Sequence, residues 1–147
     1  MIGLHFRIKD GHYALPCEDI VEVIPRVPVQ AIVGAPDYVP GFFRYRGRVV
    51  PLVDISRLAA GGPTAMLLSS RIAVVNYGRD RLLGLLLAEA EAIVEFDVTA
   101  AQDTGVKTQV PYLDGIVMTS GAAPLQLLRP AALLPEEVQR TVFGVPV

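Results

Sequence analysis

Cysteine, histidine and any excess of one charge are the scarcities of this chain, and each rules something out. Cys17 is the one cysteine, so no internal disulfide can form, which suits a reducing compartment. His5 and His12 are the only histidines, and with Cys17 they lack the paired ligand spacings of a structural zinc site, so no metal is expected. The formal net charge is only −2, which gives no basic field to hold nucleic acid. The most apolar stretch, Leu82 to Val94, is cut by Gly84, Glu89 and Glu91. It falls short of the ~20 apolar residues of a membrane span, and no secretory leader is recognisable.

Catalytic patterns are missing too. There is no Gly-x-Ser-x-Gly elbow, and Ser56, Ser69, Ser70 and Ser120 have no histidine nearby in sequence. Gly61-Gly62-Pro63 is not a phosphate-binding loop, so no cofactor is implied. Glu89 and Glu91 could serve as an acid–base pair, but a solvated strand face explains them more simply. The expectation is a protein that does no chemistry.

What the chain has in quantity is apolar residues, 52% against 19% charged, enough for either a large dry core or a surface kept for a partner. Its 147 residues fit one domain, or two very small subdomains sharing a surface. Short apolar runs recur between turn residues. Lys9 to His12 reads as a hairpin turn through its Asp-Gly pair. Cys17 to Ile24 reads as a helical turn leading into a strand, and Gly41 to Ile55 as a hairpin around Gly47. Pro51 in the second strand of that hairpin implies an edge position or a bulge. "SRLAA" is a short helix with Ser56 near its cap, Tyr77 to Asp80 a turn, Asp97 to Tyr112 a polar loop, and "LDGIVMTSGAAPLQLL" another hairpin. "RPAALLPEEVQRTVF" is a C-terminal helix. Many short strands at such spacing indicate a sandwich or a barrel.

An internal repeat runs through this pattern. "GFFRYRGRVVPL" from Gly41 and "GIVMTSGAAPL" from Gly115 share a six-residue glycine spacing at an offset of 74. "EDIVEV" from Glu18 matches "EAIVEF" from Glu91 at an offset of 73. The chain therefore reads as two similar small β units packed together.

Four arginines, Arg44, Arg46, Arg48 and Arg57, crowd the stretch "GFFRYRGRVVPLVDISRL". Arg44, Arg46 and Arg48 would share one face of a straight strand and could hold an anion. A turn at Gly47 would break that alignment. An arginine among apolar neighbours otherwise needs a carboxylate, for which Glu22 and Asp54 are the candidates.

Taken together, residues 2 to 140 resemble the CheW-like domain, the coupling module of bacterial chemosensory arrays. The shared marks are Tyr13-Ala14-Leu15, Ile20-x-Glu22-Val23-Ile24, Pro36-x-Tyr38-Val39-x-Gly41 and, above all, Tyr45-Arg46-Gly47-x-Val49-Val50-Pro51-Leu52-Val53-Asp54-Ile55. Leu83-Gly84-Leu85 and Leu113-x-Gly115 carry the likeness into the second half. Arg44-Tyr45 replaces the family's Asn-Leu, and Leu87-Ala88 its Val-Asp.

The resemblance implies a mainly β domain over residues 1–147: two small five-stranded barrels side by side, short helices and a C-terminal helix at 129–141. The subdomains would be about 10–68 and 69–128, with terminal strands crossing over. It implies a cytoplasmic, non-catalytic adaptor recruited to membrane receptor arrays, without inserting into the membrane. Its partners would be the regulatory domain of a CheA-type histidine kinase and the cytoplasmic helical hairpin of a chemoreceptor. A pathway controlling surface sensing, pili or cyclic-di-GMP is the alternative setting, and an anion-binding regulatory barrel a more distant one. The receptor helix would lie in a groove lined by Leu4, Cys17, Ile20, Val23 and Ala90. Arg46 would pair with Glu22 as a structural brace, leaving Arg44 and Arg48 to tune partner choice.

Overall fold

A computed structural model describes residues 1–60, 62–65, 67–96, 110–119 and 124–144. Most of the expected loop from Asp97, together with Gly61 and the repeat glycine Gly121, lies outside the described residues. Ten strands and two helices follow in order: β1 Ile2–Ile8, β2 Gly11–Pro16, β3 Ile20–Pro25, β4 Gly41–Tyr45, β5 Arg48–Asp54, α1 Ile55–Ala60, β6 Arg71–Asn76, β7 Leu82–Leu87, β8 Glu89–Glu95, β9 Leu113–Val117, β10 Leu125–Leu128 and α2 Glu136–Phe143. Two 3-10 turns, Cys17–Asp19 and Pro130–Ala132, precede β3 and α2.

The strands form two five-stranded sheets with one topology. The middle sheet has the order β3-β6-β7-β5-β4, and the sheet built from both chain ends (the N/C sheet) has β8-β1-β2-β10-β9. In each, three pairs are antiparallel, and the fourth, β5 with β7 or β10 with β2, is parallel. The sequence repeat maps onto this equivalence, β3 with β8, β4 with β9 and β5 with β10. The remaining strands are exchanged. Hairpin β1–β2 completes the sheet of β8–β10, whereas β6–β7 completes the sheet of β3–β5. The sheets therefore divide the chain as 20–87 against 2–16 plus 89–128, not at residues 68/69 as the subdomain limits expected.

Burial on both faces explains the continuous apolar runs. On β7, Leu83, Leu85 and Leu87 enter a core shared by the two sheets, while Leu86 enters a second core inside the middle sheet. On β6, Ala73 and Val75 join the shared core, and Ile72 and Val74 the inner one. A strand covered on both sides has no polar face to display, so "LLGLLL" and "RIAVV" do not alternate. The N/C sheet adds Leu4, Phe6 and Ile8 to the shared core and has its own inner cluster of Ala14, Phe96, Val117, Leu125 and Leu127. Gly84 is required where it stands, since a Cβ there would meet the Phe43 ring at 2.5 Å.

Neither curled sheet closes into a hydrogen-bonded barrel among the described residues, because β3 and β4, or β8 and β9, are left as outer strands. On β4 the outer edge is occupied at Phe42 by backbone bonds of 2.9 and 2.8 Å with Gln30. Pro51 is neither at an edge nor in a bulge: β5 lies between β7 and β4. The parallel ladder to β7 starts at Leu52, so the N–H that proline lacks is not called on there.

Two further local expectations shift. The β1–β2 connection is Lys9-Asp10, with Ile8 paired to Gly11 and Lys9 at φ 53. Helix α1 is capped by Asp54 rather than Ser56, for the Asp54 carboxylate accepts the Arg57 N–H at 3.1 Å. That carboxylate, buried, also accepts the Thr64 N–H at 3.0 Å and the Thr64 hydroxyl. Helix α2 starts at Glu136, later than position 129, and ends where Gly144 takes φ 85 and donates to the Arg140 carbonyl. Tyr77, just past the end of β6, anchors it, stacking on Phe143 and accepting bonds from Leu134 N–H and Gln139.

Candidate functional site

Outer strands β3 and β8 each pack side chains against the shared core. On β3 a bulge between Ile20 and Glu22 sets the register. Ile20 then sits opposite Val75 and Val23 opposite Ala73, on the face that looks to the shared core. On β8 the register places Ala90 opposite Phe6 and Ile93 opposite Leu4, again on the core-facing side. Ile20 and Ala90 are half-buried against the same core, while Val23 is 39% and Ile93 57% exposed. Beyond the strands, the 3-10 turn carrying Cys17 packs on β1 at one end of this face. At the other end the Ala90 N–H reaches the Ser69 carbonyl at 3.2 Å, next to the Pro25–Arg71 pair.

The five expected groove residues have different standing. Leu4 is buried core. Cys17 is half-buried, and burial raises its thiol above the ordinary range. Ile20, Val23 and Ala90 border the open face. Ile93 was missed, although the repeat pointed to it: it stands 73 residues after Ile20, at the same place in "EAIVEF" as Ile20 in "EDIVEV".

Arg46 Nη2 donates to Glu22 Oε1 at 2.9 Å, and the Tyr45 hydroxyl donates to the same oxygen. This bond to Glu22 is the main cause that raises the Tyr45 hydroxyl above its ordinary value. The pair fastens the β4–β5 turn across the outer strands, where the backbone makes no ladder. Arg46 at φ 47 and Gly47 at φ 77 form a two-residue turn of the type that suits the strand twist. That turn sends the arginines apart. Arg48 donates to the Asp80 carbonyl at 2.8 Å. Arg44 stands exposed beside Phe42 and Val49 in a cleft of about 460 Å³, and Arg57 lines a separate one of about 400 Å³ with Arg26. The shared anion patch of Arg44, Arg46 and Arg48 is not formed, so the anion-binding barrel loses its basis. Asp54 is likewise no arginine partner here but a cap. Among the described residues no three His, Cys, Asp or Glu side chains are placed to hold a metal ion, and no helix is long and apolar enough to cross a membrane.

Residues 3–138 match the CheW-like domain family. The chain belongs to that family. A curated relative, the chemotaxis protein CheW of Helicobacter pylori, is 28% identical over 102 residues. That alignment takes in 67% of this chain and 61% of the relative, so the chain spans about three-fifths of its length. Among solved structures, the scaffolding protein TtCheW of Thermoanaerobacter tengcongensis superimposes with a TM-score of 0.80 over 93% of this chain and 89% of its own, at 19% identity. The fold is therefore that of a CheW-like domain.

Proposed function

We propose that this CheW-like chain is a cytoplasmic adaptor of a bacterial chemosensory pathway. It couples the cytoplasmic helical hairpin of a chemoreceptor to the regulatory domain of a CheA-type histidine kinase. The observation that carries this reading is the paired apolar faces of β3 and β8, with Val23 and Ile93 left open to solvent over a common core. The five residue steps from Ile20 to Pro25 span about 17 Å, the rise of about 11 residues of α-helix. An amphipathic helix presents its apolar stripe over that length, and the groove offers Ile20, Val23, Ala90 and Ile93 to it. Adaptor work needs no catalytic group, only two surfaces held rigidly to one another. The shared core supplies that rigidity. Arg44 and Arg48, on the hairpin away from the groove face, are positioned to tune the choice of partner.

Val23→Asp places a charge in the groove while touching little of the core. It is expected to weaken capture of the receptor hairpin at least tenfold with an unchanged fold by circular dichroism, and Ile20→Asp to do the same at some cost in stability. Normal receptor binding by both variants would show the groove to be misplaced. Failure of the unmodified chain to bind the regulatory domain of any kinase of its host would sink the adaptor reading.

A further inference from the structure

One turn of this molecule ties down its backbone and shows its leucines to solvent. In residues 67–70 the Ser70 N–H donates to the Leu67 carbonyl at 3.0 Å. Ser70 is buried, and its hydroxyl accepts the Leu67 N–H at 3.0 Å. The same hydroxyl lies 2.8 Å from the Ala65 carbonyl and 3.0 Å from that of Ala88, either of which can take its proton. Arg71 Nη1 donates to the carbonyls of Leu68 and Ser70, and the Ala90 N–H donates to that of Ser69 at 3.2 Å. Every carbonyl from Leu67 to Ser70 therefore has a donor within the protein. The side chains are placed otherwise. Leu67 lines a cavity of about 270 Å³ with Pro63, Ala65 and Ala88. Leu68, at the tip, is 98% exposed.

A single exposed leucine is ordinary on any surface. Two things set Leu68 apart, its anchoring and its place. Turn tips favour glycine, asparagine, aspartate and serine, yet this one carries a leucine on a backbone that is bonded throughout. The bonds come from the strands that bear the groove residues. Ala90, which holds Ser69, belongs to β8. Arg71 opens β6 opposite Pro25, the last residue of β3, and Arg26, next in the chain, donates to the Ala65 carbonyl at 3.3 Å. The turn thus stands where β3 ends and β8 begins, and it fastens one to the other. A side chain presented on so fixed a backbone loses little further freedom when a partner covers it.

We propose that this turn is the end contact of the receptor groove, with Leu68 packing on the receptor helix just beyond the stretch held by Ile20, Val23, Ala90 and Ile93. The inference rests on the docking reading above and adds a specificity-determining residue to it. The groove along β3 accounts for about 11 helical residues. A helix that lies there and runs on past Pro25 crosses the turn. Its apolar stripe recurs every three or four residues, about 5 Å along the axis, so its next apolar side chain comes within reach of Leu68. The occupant is therefore the same amphipathic helix, carrying an apolar residue one turn beyond the groove. A receptor with a polar residue there leaves Leu68 uncovered and binds less well, which gives the turn a part in choosing among receptors.

Capture of the host's chemoreceptor hairpins by the full chain tests this. Leu68→Ser is expected to weaken capture about tenfold, as loss of one largely buried leucine contact would. Its thermal unfolding and its binding to the kinase regulatory domain should be unchanged, because the side chain is open to solvent in the free protein. Leu68→Met, still apolar, should retain capture. Normal capture by Leu68→Ser under conditions where Val23→Asp fails would overturn the end contact and leave the groove standing. Loss of kinase binding by Leu68→Ser with receptor capture intact would overturn it as well, by giving the leucine to the other partner. Normal capture by both Val23→Asp and Ile20→Asp would remove the groove itself, and the end contact with it.

Discussion

The two sheets share a strand order and a pairing pattern, yet they are charged in opposite senses. Residues 20–87, which build the middle sheet and its loops, hold eight arginines and lysines against four acids; the rest of the chain holds five against eleven. They also differ at the open side of the curl. In the middle sheet Glu22 joins Tyr45 and Arg46. At the repeat-related positions of the N/C sheet stand Glu95, exposed, and Thr119, whose buried hydroxyl has no partner among the described residues. Pairing and burial constrain both copies alike, so topology and core are held in common. Solvent-facing positions carry no such constraint, and there the copies have separated in charge.

Mutations can break or sharpen this comparison. The largest effect is expected where the sheets are not separate. Leu85→Ala, in the shared core, should cost about 3 kcal/mol and melt both sheets in a single transition. Loss of hydrogen-exchange protection in the middle sheet alone would show that the units are independent. Asp54→Ala removes a buried carboxylate with three donors, and a loss of about 2–3 kcal/mol is expected by denaturant unfolding. The smallest effect should be at the brace. Arg46 is 73% exposed, so Arg46→Ala should cost less than about 1 kcal/mol, a difference that high salt erases. Glu95→Ala, its counterpart test in the N/C sheet, should stay within about 0.5 kcal/mol of zero. Equal losses from both would mean that a brace operates in both sheets.

Much of this architecture was legible in the residues. The glycine spacing after Gly41 and Gly115 announced two equivalent hairpins, and "EDIVEV" against "EAIVEF" announced equivalent outer strands. Local patterns cannot state which sheet a hairpin joins, however, so the crossing of terminal strands came from the family resemblance alone, and neither hairpin was assigned to its sheet. Pro51 misled for a related reason: a proline shows that a donor is missing, not where the neighbouring ladder begins. At the groove, Ile20 and Val23 were legible as an apolar strand face. Ile93 needed the repeat to be applied once more.

The exchanged hairpin also sets an order of events during synthesis. All five strands of the middle sheet are on the ribosome's product once Leu87 has emerged, whereas β1 and β2 wait for β8 and β10. Some 110 residues separate β2 from the end of β10, roughly 6 to 22 s of elongation at ordinary speeds. Throughout that interval Leu4, Phe6 and Leu15 have no N/C sheet to enter. Until β10 emerges, the β1–β2 hairpin is an unfinished β-ribbon with an apolar face still to be covered.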